Sequence, residues 1–562
     1  MKKIVAACAV LAAAASLPLG AATEKIDYEA LSRIKQQGLT AANSQVMDIA
    51  SWLTDVNGPR LTGSPGVQKA AAWAVARMKE WGLTNVALEP WADKSNDFPY
   101  GWTNDKFYMA AVSPQQFPIP GTPTAWTPGT SGLVRGEVAL VTETAQDDLQ
   151  KYAGKLKGKW ILAQAPPDVP AFWTAQATRQ TQEELERMEL AAPPGPEFGV
   201  TSPNAGRGNF GRGGFGGGFD RNAWFKSEGA AGLLSTTPRG HGVYTISGGD
   251  RTTDGSNALP RITIPAEQYG RLARMVEKNV PVTIEADVKN TYTPNPPMFN
   301  VVGEIRGTDK ADEVVMIGAH FDSWHASTGA TDNAAGSAAM MEAMRILKQS
   351  GVTLRRTVRI GLWTGEEQGL IGSRDYVRAH FGACNDPAPQ RGGGRGAAPA
   401  APATPAPQRG GGAGRGGCQS GYTLKPEQAK FAGYFNIDNG TGAIRGVYLQ
   451  GNDAVAPIFR EWMEPFRSIG MTSLTVRNTG GTDHLSFDGI GLPGFQFIQD
   501  EVEYETLTHH TNLDSYERLQ PTDMMRNATI AAAFAYLTAN RDDKLPRKPL
   551  PTAAPAGRGS GQ

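Results

Sequence analysis

Val314-Val315-Met316-Ile317-Gly318-Ala319-His320-Phe321-Asp322-Ser323, with Asp332-Asn333-Ala334-Ala335-Gly336 close behind, is the stretch on which the fold turns. Val314 to Ile317 is a short apolar run rich in β-branched residues, the pattern of a strand buried in a parallel sheet. Ala335 to Gln349 is rich in Ala, Met and Leu and reads as a helix. His320 therefore stands where a strand ends and Asp332 where a helix begins. In open α/β sheets that edge carries the sites. Residues i and i+2 of an extended segment point the same way, so Asp322 can reach towards His320 and fix its ring. A lone His-x-Asp is weak evidence of a metal, and the rest of the chain has to decide it.

Working outward, strands alternate with helices on both sides of that stretch. Strands are expected at Val314 to Ile317, Val358 to Trp363, Phe431 to Ile437 and Leu492 to Ile498. Helices are expected at Ala335 to Gln349, Ala454 to Ser468 and Asn527 to Asn540. The implied fold class is α/β, a mixed and mostly parallel sheet flanked by helices. Nearer the N-terminus, Ser64-Pro65 opens a helix that Gly82 stops, and Asn85 to Leu88 follows as a strand. Between about 126 and 290 the texture changes to short strands bounded by turns: Gly136 to Val141, Gly158 to Ala163, Gly229 to Leu234, Ile262 to Pro265 and Val282 to Ala286. They form a separate β-rich module, interrupted by a Gly/Arg/Phe-rich loop at 205–219. The expected division is 1–22 leader, 23–125 first part of the main domain, 126–290 inserted module, 291–545 catalytic part and 546–562 disordered tail.

Composition narrows the function. The chain has 562 residues, 55 basic and 55 acidic, so no charge excess points to nucleic acid or an acidic partner. Lys2-Lys3, an apolar run from Ile4 to Leu19 and Gly20-Ala21-Ala22 have the form of a secretory signal cleaved after Ala22. Cys8 would leave with it. A periplasmic or extracellular protein with no membrane anchor is expected. Of the remaining cysteines, Cys384 and Cys418 make an even pair, which in an oxidising compartment usually bonds; zinc chelation is the alternative, without further cysteines to complete a thiolate site. Between them, 385–417 collapses into Gly, Pro, Ala, Arg and Gln and cannot bury enough apolar surface to order itself.

Four more stretches belong with the opening one. Thr364-Gly365-Glu366-Glu367-Gln368-Gly369-Leu370-Ile371-Gly372-Ser373 puts two adjacent carboxylates just past a buried strand. Neighbouring side chains there point apart, so one can bind a metal while the other faces substrate. Asn436-Ile437-Asp438 places another acid at a strand end. Gly480-Gly481-Thr482-Asp483-His484 and Thr508-His509-His510-Thr511-Asn512-Leu513-Asp514 hold three of the seven histidines. Taken singly, each is equally a hydrogen-bonded loop. Together they supply His, Asp, Glu, Asp and His without thiolate, which suits zinc, with manganese or cobalt also open. Five ligands are too many for one tetrahedral ion and suit two ions sharing a carboxylate.

The order His-x-Asp, Asp-Asn-Ala-Ala-Gly, Glu-Glu-x-Gly-Leu-x-Gly-Ser, Asn-x-Asp and His-Thr-x-x-Asp resembles the di-zinc exopeptidase family of aminopeptidases and glutamate carboxypeptidases, leucyl aminopeptidase and carboxypeptidase Q types among them. The β-rich insert is similar to the protease-associated domain many members carry. The resemblance implies two zinc ions per chain, with Asp332 bridging, His320 and Asp438 completing one site, and Glu367 and His510 the other. It implies Glu366 as general base and Asp322 as the group orienting His320. Some members have a tyrosine just before the last histidine ligand; here His509 stands there, a candidate donor to the oxyanion. The adjacency leaves both histidines open as ligands, and aligning His-Thr-x-x-Asp selects His510. The expected activity is peptide hydrolysis, N-terminal release first and a carboxypeptidase or dipeptidase second, on peptide substrates, with a homodimer left open. A non-catalytic binding protein on this fold would have lost ligands, and all five are present.

Overall fold

The computed structural model describes residues 24–92, 98–191, 219–386, 418 and 420–550. The leader with Cys8, all but Phe219 of the loop at 205–219, the low-complexity insert from 387 onward and the tail beyond 550 lie outside the described residues.

The main sheet has eight strands: β1 Thr84–Pro90, β2 Phe299–Ile305, β3 Lys310–His320, β4 Arg356–Trp363, β5 Phe431–Asn436, β6 Ile444–Tyr448, β7 Ser473–Thr475 and β8 Gly494–Gln499. Their spatial order is β1-β2-β4-β3-β5-β8-β6-β7. The centre, β4-β3-β5-β8, is parallel, and antiparallel pairings of β1 with β2, β2 with β4 and β6 with β8 flank it. The register aligns the strand ends that matter. His320 lies opposite Trp363, and Gly318 lies opposite Asn436. The loops after β3, β4 and β5 therefore leave the sheet at one carboxyl edge.

The helices that cover the sheet include α1 Tyr28–Gly38, α2 Pro65–Glu80, α3 Ala335–Gln349, α4 Ile371–His380, α5 Ala456–Met463 and α6 Pro521–Asn540. Side chains alternate across β3. Val315, Ile317 and Ala319 enter the large core with α1, α2, α3 and α6, while Met316 enters a smaller aromatic core with Trp363, Tyr376, Tyr434 and Phe487. From Ala335 to Leu347 every residue of α3 is buried, as its Ala/Met/Leu composition demands. As expected, Ser64 caps α2, its hydroxyl accepting from Val67 N at 3.3 Å. Two helix bounds differ from the sequence expectation. Pro521 opens α6 six residues before Asn527, because proline is well placed in a first turn. Beyond Met463 the expected long helix tightens to a 3₁₀ turn at Glu464–Ile469, where Pro465 offers no N–H.

The second sheet also has eight strands, ordered Phe117–Pro118, Tyr100–Ser113, Thr283–Pro294, Val134–Leu140, Trp160–Leu162, Gly232–Ser235, Arg261–Thr263 and Thr122–Pro123. It thus begins at Tyr100, ahead of the expected boundary at 126. Tyr100–Ser113 pairs along its length with Thr283–Pro294, and the polar run Thr103 to Lys106 in its middle hides the strand pattern. The module also contains helices, Ala266–Glu277 the longest, with Tyr269, Leu272 and Ala273 buried on one face. From this module a strap returns to the main domain. Thr178 bridges Val502, Arg179 pairs with Asp500 at 2.9 Å, and Ser473 donates to Leu185 O at 3.0 Å. Cys384 and Cys418 are bonded, so the zinc-chelating alternative for them is closed.

Candidate metal centre

The carboxyl edge of β3, β4 and β5 brings the five sequence-chosen groups together. His320 Nε2 lies 3.1 Å from Asp332 Oδ1 and 3.1 Å from Asp438 Oδ1. On the other side, His510 Nε2 lies 3.1 Å from Asp332 Oδ2 and 2.9 Å from Glu367 Oε2. Asp332 is thus shared, one oxygen to each half. His320, Asp332 and Asp438 form one donor triple of metal-binding dimensions, and Asp332, His509 and His510 a second. Donors on one tetrahedral zinc at ordinary bond lengths stand about 3.4 Å apart, close to these spacings.

Hydrogen bonding fixes the orientation of each group. His320 Nδ1 is 3.0 Å from the main-chain oxygen of Asp322 and 3.7 Å from its carboxylate. Asp322 therefore holds the ring, but through its carbonyl; its carboxylate accepts from Thr62 Oγ1 at 2.6 Å and Glu366 N at 3.2 Å. With Nδ1 donating to that carbonyl, Nε2 is the ring atom turned towards the two carboxylates. Asn333 donates to Ile437 O at 2.8 Å and accepts from Gly336 N at 2.9 Å, tying the Asp332 loop to the end of β5 and the start of α3. A Cβ at Gly336 would stand 2.5 Å from Ile437 O, so only glycine allows that approach. His510 sits at φ 57°, a left-handed conformation that costs a residue with a Cβ on the order of 1–3 kcal/mol. It is held there by Ile246 N donating to its carbonyl at 2.9 Å and by a bridge between Thr245 and Thr511.

The site gathers buried anionic oxygens that a cation would satisfy. Asp332 Oδ2 and both oxygens of Glu367 are buried without a hydrogen-bond partner among the described residues. Burial works against charge on both His320 and His510. The charge of Asp438 on one and Glu367 on the other, with close approach to the same acids and to Asp332, outweighs it and holds both imidazoles well above their usual range. Burial holds the Glu366 carboxyl well above the ordinary carboxylate range; Asp438, Asp483 and Glu367 add to this while His320 opposes it. A donor set with orphaned anionic oxygens, imidazole lone pairs and a shared carboxylate fits divalent zinc.

His509, the oxyanion candidate, is set back. Its Nε2 is 4.0 Å from Asp332 Oδ2, its ring stacks on Tyr504, and its Nδ1 is 3.7 Å from Glu505. His510 is nearer Asp332 and alone reaches Glu367.

Sequence reasoning missed three supports. Arg60 is buried beneath the site, donating to the carbonyls of Phe321, Leu53, Thr328 and Gly329 at 2.8–2.9 Å. Burial lowers its pKa to about 10, and the charges of Asp514, Asp322, Asp332 and Glu367 oppose that fall. Thr62 links Asp322 to Gly365 N. Asp514 accepts from the main-chain N–H groups of Thr331 and Asp332 at 2.5 and 3.1 Å. Only Asp514 lay in a noted motif; Arg60 and Thr62 reach the site from some 260 residues away in sequence.

Against known proteins, residues 300–387 and 416–535 match Peptidase family M28. Mouse carboxypeptidase Q is 24% identical over 497 residues, 88% of this chain and 86% of its own length. The human carboxypeptidase Q is 23% identical over 509 residues, 90% of this chain and 88% of its own. A peptidase M28 precursor from Shewanella amazonensis, of known crystal structure, superposes with a TM-score of 0.60 at 22% identity, covering 93% of this chain and 99% of that one. That likeness carries the fold alone.

Proposed function

We propose that this chain, a peptidase that matches Peptidase family M28 over residues 300–387 and 416–535, is an exported exopeptidase of that family working with two zinc ions. The observation that carries the reading is Asp332, one carboxylate placed between two imidazoles. His320, Asp332 and Asp438 would hold one ion, and Asp332, Glu367 and His510 the other. Zinc bound there would make water acidic near neutral pH and polarise the scissile carbonyl.

The chain's own residues do the rest. Glu366 takes a proton from water and returns it to the leaving nitrogen, and burial lifts its carboxyl towards the range such a shuttle needs. Asp322, held by Thr62, keeps Glu366 and His320 in register through its carboxylate and carbonyl respectively. His509 stands beside Asp332 and supplies a donor for the oxyanion. The second sheet is the protease-associated domain in this reading, and the leader at 1–22 directs export. No helix among the described residues is long and apolar enough to cross a membrane.

Release of N-terminal residues is the first reading of specificity. The near full-length likeness to carboxypeptidase Q favours a second, in which a short peptide is held by its free carboxylate. One peptide in free, N-acetylated and C-amidated forms, each with and without chelator, tests both. Chelator-sensitive cleavage lost on acetylation supports the first reading; loss on amidation supports the second. Cleavage untouched by a chelator contradicts the proposal.

A further inference from the structure

A cavity of about 290 Å³ opens between the strap and the main domain, and three arginines line it. Arg179 reaches it from the strap, Arg445 from β6 and Arg526 from α6, with Asp500, the residue next after β8, on the same wall. None of the five metal-centre residues lines it. Its arginines come from distant parts of the chain, so no local sequence pattern announces them. The side chains of Arg179 and Arg526 are 50% and 36% exposed, so neither guanidinium is sealed in by its partners. Arg445 is the more enclosed, and its Nε is fixed by donating to Gly470 O at 2.9 Å.

The charges around this cavity do not close. Asp500 spends both carboxylate oxygens: Oδ1 accepts from Gln180 N at 2.9 Å and from Arg445 Nη1 at 3.1 Å, and Oδ2 accepts from Arg179 Nη1 at 2.9 Å. Arg179 Nη2 lies 2.7 Å from Asp523 Oδ2. Both acids are buried, and each is held by an arginine. Arg526 is left over. Its one ion pair among the described residues is to Asp523 Oδ1 at 3.7 Å, past hydrogen-bond reach. Three guanidinium groups against two carboxylates leave one positive charge in excess. Like charges gathered around one space repel, and an anion placed among them relieves the repulsion. The planar guanidinium fork matches phosphate oxygens two at a time. Forks arriving from three elements suit a tetrahedral polyanion, with oxygens on every side, better than a flat monovalent carboxylate.

We propose that this cavity binds an oxyanion of the phosphate class, recruited by Arg526 and shared with Arg179 and Arg445. Bound there, the anion ties the strap to β6 and α6. The zinc-loaded full chain is titrated with inorganic phosphate by calorimetry at fixed ionic strength, in wild type, Arg526→Met and Arg526→Lys. Phosphate that binds the metals does so equally in all three chains, so the difference between them reads the cavity. Wild type is expected to bind one phosphate that Arg526→Met binds roughly tenfold to a hundredfold more weakly, the scale of a hydrogen bond to a charged group. Arg526→Lys, which keeps the charge without the fork, falls between. When phosphate replaces chloride, the unfolding midpoint of wild type rises further than that of Arg526→Met. Equal phosphate binding by wild type and Arg526→Met overturns the proposal, and acetate that competes as well as phosphate overturns the ligand class. Should Arg526→Met fail to fold, a lysine variant that binds phosphate as tightly as wild type overturns it. No peptide is needed, so the outcome is independent of the exopeptidase reading.

Discussion

Midway along α3, Glu342 and Arg345 close each other's valences; one turn before the same helix, Asp332 is left open. Glu342 accepts from Arg345 Nε at 2.6 Å, Arg345 Nη2 at 2.7 Å and Gln45 N at 3.0 Å, while Arg345 also donates to Asn43 O. Both are buried, and both are paired in the bidentate geometry that makes a buried charge tolerable. Asp332 is as buried as they are, but among the described residues no arginine or lysine closes it. Its Oδ2 and both Glu367 oxygens find no hydrogen-bond donor among the described residues, and its nearest neighbours are imidazoles and more acids. A fold that can build a closed ion pair ten residues away has not done so here. In the reading proposed above, the open cluster is the place that would take cations.

The contrast predicts opposite consequences for removing a charge from each cluster. The largest effect is expected at the open one. Asp332→Asn weakens both halves at once, so metal per chain should fall well below two and turnover should drop more than the roughly hundredfold typical of losing one catalytic group. Elemental analysis beside kcat checks this; a variant with full metal content breaks the contrast. At the closed pair, Arg345→Met strands a buried Glu342 and should cost about 3–5 kcal/mol in stability. Chemical denaturation measures it, and metal per folded chain should not change. A milder control lies far from both. The Cys384–Cys418 bond spans 34 residues, and chain entropy assigns it roughly 3 kcal/mol or somewhat more. Cys384→Ser with Cys418→Ser should lower stability by no more than that and leave kcat and metal content alone. A loss of metal in that double variant would tie the loop to the site.

The open cluster was the more legible of the two. His320, Glu367 and Asp438 each sit just past an apolar run, so Val315 to Ala319, Val358 to Trp363 and Phe431 to Ile437 announced both the strands and the edge where these groups gather. The parallel register then did what the fold class promised, setting His320 against Trp363. Glu342 and Arg345 gave no such signal, since i and i+3 charges on a helix ordinarily read as a solvated face. Only the depth at which α3 is buried changes their meaning. Arg60 and Thr62 were silent for another reason: their partners come from a loop more than 250 residues on, and no local pattern encodes that contact. Tyr100–Ser113 escaped because its partner along its length is a strand at the far end of the insert and the polar run Thr103 to Lys106 breaks its pattern. The role of Asp322 was legible in kind but not in atom, since a carbonyl and a carboxylate of one residue share the same sequence.

Glu366 and Glu367 put the central claim to its sharpest test, being adjacent, identical in chemistry and assigned different work. Zinc per chain and kcat are measured together for Glu366→Gln and Glu367→Gln. The account predicts that Glu366→Gln keeps its metal and loses roughly a hundredfold or more in turnover, while Glu367→Gln loses metal and activity together. Zinc lost from the Glu366 variant and retained by the Glu367 variant would reverse the assignment, and unaltered turnover in both would contradict the two-metal centre altogether.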